Sequence, residues 1–263
     1  MTESPPSGRA AAPAVARAAK ILGNLAAHPG PQRLSDVASA LGLPVSSTAA
    51  ICTALEGDRL VTRTSTGYTL GPRIVELAHA FLATIDPLTS FGDVVAESDT
   101  LRHETVQLAI LDGAEVLYLA RRDADRPFQI ASNVGKRLPA TCTAVGKAML
   151  AGAAVDVARR GPLPRLTARS ITDPQALRDD LATTAARGYA IDDEETSIGV
   201  VCFGVALNVA DPRYAISVTI LRANHSPELE AELVAALQQA ARALSPGSGE
   251  SVPPFWGPGL PRT

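Results

Sequence analysis

Residues 34–70 read LSDVASALGLPVSSTAAICTALEGDRLVTRTSTGYTL. Ser35 precedes Asp36-Val37-Ala38-Ser39-Ala40-Leu41, and Gly42 follows. A hydroxyl before a helix accepts from its free first-turn amides, and a glycine after it takes the left-handed closing conformation. Those two residues therefore bracket a short predicted helix. After Leu43-Pro44 a second helix is predicted to about Gly57, with Thr48, Ile51, Cys52 and Leu55 on one face at spacings of three and four. Residues 60–63 and 68–70 flank Thr64-Ser65-Thr66-Gly67, the pattern of strand, glycine-containing turn and strand. A short helix, a tight turn at Gly42-Leu43, a second helix and a hairpin form a winged helix-turn-helix. In that arrangement the second helix enters a DNA major groove about 12 Å wide. The pattern by itself also suits an ordinary helical subdomain.

Upstream, Val15, Ala18, Ala19, Leu22 and Leu25 recur at helical spacing, and residues 32–34 read as short and extended. Residues 1–12, rich in Ser, Pro and Ala, read as a disordered leader. Downstream, Pro72 suits the start of an amphipathic linker helix over 73–87. Its stripe of Ile74, Leu77, Ala78, Phe81, Leu82 and Ile85 needs a partner, and the same helix of a second chain is the expected one. Beyond Pro87 the pattern turns mixed. Helices are predicted over 91–101, 141–151, 174–187 (ending at Gly188) and 227–244. Strands are predicted over 105–111, 115–120, 127–131, 200–209 and 214–221, with turns at Asp112-Gly113 and Asp211-Pro212. Strands in hairpins favour an antiparallel sheet flanked by helices, so the chain is read as α+β. The expected domains are a leader 1–12, a helix-turn-helix domain 13–72, a linker helix 73–87, a sensor domain 88–245 and a disordered tail 246–263. The tail carries Trp256, the only Trp, read as a tail residue with docking on a partner as the alternative.

The bulk properties limit the partners. A net charge of −3 and a pI near 5.8 exclude a globally basic coat, so DNA contacts must come from a local patch. No apolar run approaches the ~18–20 residues that span a bilayer, and no secretory leader is visible. Cys52, Cys142 and Cys202 lie far apart, with no CxxC, which argues against disulfides or zinc. A cytoplasmic protein with reduced thiols, no cofactor, no metal and no membrane partner is expected.

Three local signals need weighing. Gly146-Lys147 resembles the end of a P-loop, but Thr141 stands at the first glycine position and Ala148 replaces Ser/Thr. Nucleotide hydrolysis is therefore not supported. A helix whose first amides face a cavity, favouring an anionic group, is the better reading, with a tightly packed glycine helix start as the alternative. Asp192-Asp193-Glu194-Glu195 lacks interleaved His, and His28, His79, His103 and His225 show no metal-ligand spacing; an acidic solvated turn is expected. Cys142 or Cys202 with His103 or His225 as base would make an enzyme, but no local pattern supports it.

The chain resembles the IclR family of bacterial regulators. The resemblance rests on Val15-Ala16-Arg17-Ala18, Ile21-Leu22, Leu34-Ser35, Val37-Ala38, Leu41-Gly42-Leu43-Pro44 with Ser46, Leu55, Leu60-Val61 and Tyr68-Thr69-Leu70-Gly71-Pro72-Arg73. It continues through 134–139 (VGKRLP), 144–151 (AVGKAMLA), 187–192 (RGYAID), Glu195, Gly199 and Cys202. The resemblance implies a ligand-responsive transcription regulator, dimeric or tetrameric, binding double-stranded operator DNA. It also implies a GAF-like domain that holds a small effector, carboxylate-bearing or aromatic. Carried over residue by residue, it implies an effector pocket of Leu138, Ala144, Val145, Asp192, Val200, Cys202, Ser217 and Thr219. Val200 and Cys202 alternate onto one strand face, as do Ser217 and Thr219.

This chain departs from the family where DNA is read. Val45 and Ala50 stand where relatives usually carry Lys and Arg, and residues 44–55 contain no Lys or Arg. The reading residues are expected to be Arg17, Arg33, Ser46, Ser47, Ala49, Ala50, Thr53 and Arg63, with Lys20, Arg59 and Arg73 as further cations. At least one of Ser46 and Ser47 is expected to cap its helix. A sensor or interaction protein whose helix has lost specific readout is the alternative.

Overall fold

A computed structural model describes residues 12–123, 134–152, 162–208 and 214–245 of the chain. The expected leader (apart from Ala12), the strand at 127–131, the Asp211-Pro212 turn and the tail with Trp256 lie outside the described residues. The chain divides after Thr84 into two compact units.

The first unit contains α1 (Pro13–Ala27), α2 (Leu34–Ala40), α3 (Val45–Gly57), the hairpin β1 (Val61–Arg63) and β2 (Tyr68–Leu70), and α4 (Arg73–Leu82). Its core is Ile21, Leu25, Val37, Cys52, Leu55, Val61 and Tyr68; of the stripe expected on α1 only Leu25 is fully buried, Ile21 takes the central place and Val15 is exposed. Burial of this apolar set, rather than helix propensity, holds such short helices together. The helix expected to begin after Ser35, at Asp36, starts two residues earlier, at Leu34. Arg33 occupies the cap, Ser35 lies inside the helix bonded to Asp36 at 3.1 Å, and no side chain caps α2. The turn after α2 closes through Leu43 N–H donating to Ala38 O at 2.9 Å and Gly42 N–H to Ser39 O at 3.1 Å. Gln32 does pair as an extended residue, bridging to Tyr68.

The linker helix expected over 73–87 stops at Leu82. Ile85 is extended, and α5 (Asp86–Glu97) restarts with Pro87 in its first turn. Proline has no N–H to continue a preceding helix, but its fixed φ suits a helix start. Ile85 is accordingly buried within the second unit, while α4 buries no residue and leaves Val75, Leu77 and Phe81 exposed.

The second unit is built on a six-stranded antiparallel sheet, ordered β5-β4-β3-β8-β7-β6. Its strands are β3 (Thr105–Asp112), β4 (Glu115–Arg122), β5 (Arg137–Pro139), β6 (Ala190–Asp193), β7 (Val200–Ala206) and β8 (Tyr214–Leu221). The hairpin after β3 turns on Gly113 at φ +66° followed by Ala114, with Asp112 already paired to Glu115, so the turn sits one residue later than Asp112-Gly113. Strand alternation divides the sheet's two faces. Val106, Leu108, Val201, Phe203, Val205, Ile216, Val218 and Ile220 pack against α5 and α8 (Pro227–Leu244). The opposite face carries α6 (Ala144–Gly152), with α7 (Pro174–Arg187) against α6. Both α7 and α8 begin on side-chain caps, Asp173 and Ser226, and Gly188 ends α7 in the left-handed conformation.

Candidate functional site

Two glycines set how closely α6 lies on the sheet. A Cβ on Gly204 of β7 would stand 2.5 Å from the carbonyl carbon and oxygen of Ala144, and one on Gly146 would overlap the Ala140 carbonyl. The first turn of α6 therefore rests on bare backbone. Thr143 caps it, its Oγ1 accepting from Gly146 N–H at 3.0 Å. Lys147, which follows, is 1% exposed. Its ammonium pairs with the Glu195 carboxylate and, at 3.1 Å, with Asp180 of α7. It is thus committed inside the fold rather than presented to a phosphate.

Beside that helix start lies a cavity of about 150 Å³. All eight residues expected to form an effector pocket line it: Leu138, Ala144, Val145, Asp192, Val200, Cys202, Ser217 and Thr219. Register explains the convergence. Asp192 pairs with Cys202, Cys202 with Thr219, and Gly204 with Ser217, so their side chains share the face beneath α6. Five further lining residues escaped the sequence reading: Gln107, Tyr118, Lys136, Thr196 and Ser197. Gln107 was legible in principle, because it alternates with the buried Val106 and Leu108. Tyr118 was not, because a bulge opposite Leu108–Ala109 sets which face β4 presents.

The acidic run does not form a solvated turn. Asp192 and Glu195 are buried. Asp192 Oδ1 accepts from the amides of Glu195 at 2.7 Å and Thr196 at 3.2 Å, and Oδ2 accepts from the Thr196 hydroxyl. Asp193 and Glu194 point outward toward Arg169, at 2.8 Å and 3.9 Å. Burial raises the Asp192 pKa above its ordinary value, partly offset by the Thr196 and Glu195 hydrogen bonds. Burial, then the Asp192 charge, push the Cys202 thiol far up, and burial also raises the Cys142 thiol. These are neutral thiols without nucleophilic character. Among the described residues no group of three or more His, Cys, Asp or Glu converges as a metal set.

In the first unit, α3 buries Thr48, Cys52 and Leu55 and turns Ser46, Ala50 and Thr53 outward; Ser47 and Ala49 are half-buried. Pro44 occupies the cap position without a side-chain bond, so neither Ser46 nor Ser47 caps the helix. Pro44 carries no hydroxyl, and its fixed φ simply leads into the first turn. Thr53 Oγ1 donates to Ala49 O at 3.0 Å, which leaves it only lone pairs to offer outward. Arg17, Arg33 and Arg63 are exposed, and the Arg63 guanidinium stands 5.9 Å from the Tyr68 ring centre. Arg59 and Arg73, expected as further DNA-facing cations, both reach Glu76, at 3.4 Å and 2.9 Å. That shared carboxylate offsets part of their charge.

Residues 80–246 match the C-terminal domain of the bacterial transcriptional regulator IclR, and residues 14–65 match the IclR helix-turn-helix domain. The chain belongs to the IclR family. It is 35% identical to the HTH-type transcriptional regulator Rv1719 of Mycobacterium tuberculosis over 85% of this chain and 87% of that one. It is 28% identical to the transcriptional repressor AllR of Klebsiella pneumoniae over 93% of each. Among solved structures, an IclR homologue from Microbacterium hydrocarbonoxydans complexed with 4-hydroxybenzoate is 25% identical, with a TM-score of 0.75 over 88% of this chain and 97% of that one. As an IclR-family member this chain is a transcriptional regulator with a helix-turn-helix domain rather than an enzyme. No single helix among the described residues is long and apolar enough to cross a membrane.

Proposed function

We propose that the chain binds operator DNA through α3 as a cytoplasmic homodimer or dimer of dimers, and that a small effector in the cavity controls that binding. The observation that carries the effector half is the cavity beside the start of α6, whose walls mix apolar and hydroxyl groups. Its volume of about 150 Å³ matches a space that accepts a single six-membered ring, on the order of benzene. Leu138, Val145 and Val200 supply apolar wall; Ser217, Thr219 and Gln107 supply hydrogen bonds. The first-turn amides of α6 at Ala144 and Val145 favour an anionic group. A small ring or short chain bearing a carboxylate fits these demands, and 4-hydroxybenzoate is a suitable first probe.

For DNA, α3 offers hydroxyls and methyls rather than guanidinium groups. Ser46 can bond bases or phosphates, while Ala50 and the exposed Val45 suit thymine methyls. Arg17, Arg33 and Arg63 grip phosphates from the flanks. Arg33→Ala and Arg63→Ala are each expected to weaken binding to all sequences alike and to reduce the slope of log K against log salt by about 1. Fluorescence anisotropy across a salt series checks this; an unchanged slope removes that residue from the interface.

A second reading is favoured by one observation, the absence of Lys and Arg from α3: a sensor whose reading helix no longer selects a sequence. Titration of the full chain with the gene's own upstream DNA and with scrambled DNA separates the two. Preference for the upstream fragment supports the operator reading, and equal affinity supports the other. For the cavity, a thermal-shift screen of small carboxylic acids is expected to yield ligands that raise Tm by mass action. Ser217→Ala should shrink that response severalfold; an undiminished response places the ligand elsewhere.

A further inference from the structure

The turn that brings Asp192 to the cavity is fastened from behind by charge. Glu195 pairs with Lys147 of α6, and its Oε2 accepts from Ile171 N–H at 3.4 Å. Its backbone carbonyl accepts from Ser170 Oγ at 2.8 Å and Thr167 Oγ1 at 3.2 Å. Its amide donates to the Asp192 carboxylate at 2.7 Å. One residue thus ties the cavity wall to α6, whose Ala144 and Val145 line the same cavity. This turn and α6 each supply part of the cavity wall.

The charges around Glu195 do not balance. The Lys147 ammonium faces Glu195, Asp180 from α7 and, behind the Glu195 amide, Asp192 from β6. Asp193 and Glu194 turn outward to Arg169, and Asp193 also meets Arg222 at 3.4 Å. Cys142, before α6, senses the Glu195 charge, and burial holds its thiol neutral. The enclosed cluster therefore carries more negative than positive charge.

We propose that Glu195 is a positioning residue of the ligand cavity, and that a proton taken up within the Lys147–Glu195–Asp180 cluster draws the turn 192–197 against α6. The proposal deepens the effector reading above and rests on it for its functional meaning. Burial pushes the Glu195 carboxyl from 4.5 up to about 6, the Lys147 charge opposes this, and Asp192 adds to it. A turn swung into water returns Glu195 to its ordinary value. The closed turn then binds the proton more tightly than the open one, so acidification from about pH 7 to about pH 5 favours closure. Asp180 keeps Lys147 paired throughout. Glu195→Gln imitates the protonated acid and retains an oxygen for Lys147.

Hydrogen exchange of the full chain, read by mass spectrometry and corrected for the intrinsic rate at each pH, tests this without any ligand. Peptides covering 192–199 are expected to exchange roughly fourfold more slowly at about pH 5.5 than at about pH 7.5. In Glu195→Gln they should be slow at both. Asp180→Asn, a second variant should the first fail to fold, leaves the ammonium to Glu195 and should move the transition to lower pH. No pH dependence in the native protein, faster exchange in Glu195→Gln at both pH values, or equal changes across β3 and β8 would overturn the proposal. Failure of the acid screen to raise Tm would instead sink the effector reading and leave this exchange result standing.

Discussion

Lys147→Met is expected to destabilise the C-terminal domain by about 3–5 kcal/mol at neutral pH, the range for removing one partner of a buried ion pair. Met preserves much of the apolar stem but deletes the ammonium that faces Glu195 and Asp180. The penalty should depend on pH, with a definite sign. The native Glu195 carboxyl already sits near 6, above its ordinary 4.5, and Lys147 is what pulls it down. Without that pull it titrates higher still. A group whose folded pKa is raised is destabilising when ionised, so the penalty is full at high pH and recedes as pH falls through the folded pKa. Urea unfolding at about pH 7.5 and about pH 5 should show the gap between variant and native protein narrowing on acidification. A loss below about 1 kcal/mol at neutral pH would mean that the cluster is solvated and that the account of its burial is wrong.

Gly204→Val is expected to cost about 3 kcal/mol, the upper end for overpacking a core, and to abolish ligand responses in the thermal-shift assay. The obstacle to the new side chain is backbone: the Ala144 carbonyl at 2.5 Å and the Val145 amide nitrogen at 2.8 Å. No flexible side-chain end can move aside. The first turn of α6 must lift from β7, and with it two residues of the cavity wall. Differential scanning calorimetry of the variant checks the stability, and a Tm within a degree or two of native (~0.5 kcal/mol) would contradict the packing described here.

Much of this is legible in the sequence alone. Leu25, Cys52 and Leu55 declare their helices by spacing, and Pro174, Gly188 and Pro227 mark helix ends that the structure reproduces. The paired alternation of Val200 with Cys202 and of Ser217 with Thr219 anticipated the cavity face. The failures have local causes. Ser35, Ser46 and Ser47 read as caps because hydroxyls are good caps, yet the helices began at Leu34 and Val45, which left those serines inside the first turn. The 73–87 stripe looked continuous because periodicity does not register a break, and Pro87 began a new helix. The run at 192–195 looked solvated by composition alone. That Glu195 turns inward depends on Lys147, 48 residues away, a pairing that neither residue advertises in sequence. Arg59 and Arg73 counted as DNA-facing cations until Glu76 was found between them.

The most direct test of a ligand-responsive regulator is the affinity of the full chain for its upstream DNA, measured by anisotropy with and without saturating ligand from the acid screen, in the native protein and in Ser217→Ala. Coupling of about 1–3 kcal/mol between sites predicts a change of roughly 5–150-fold in the native protein, and little change in the variant at the same ligand concentration. An identical DNA affinity with the cavity filled would mean that ligand binds the DNA-competent and DNA-incompetent arrangements equally, and the protein would not be a switch.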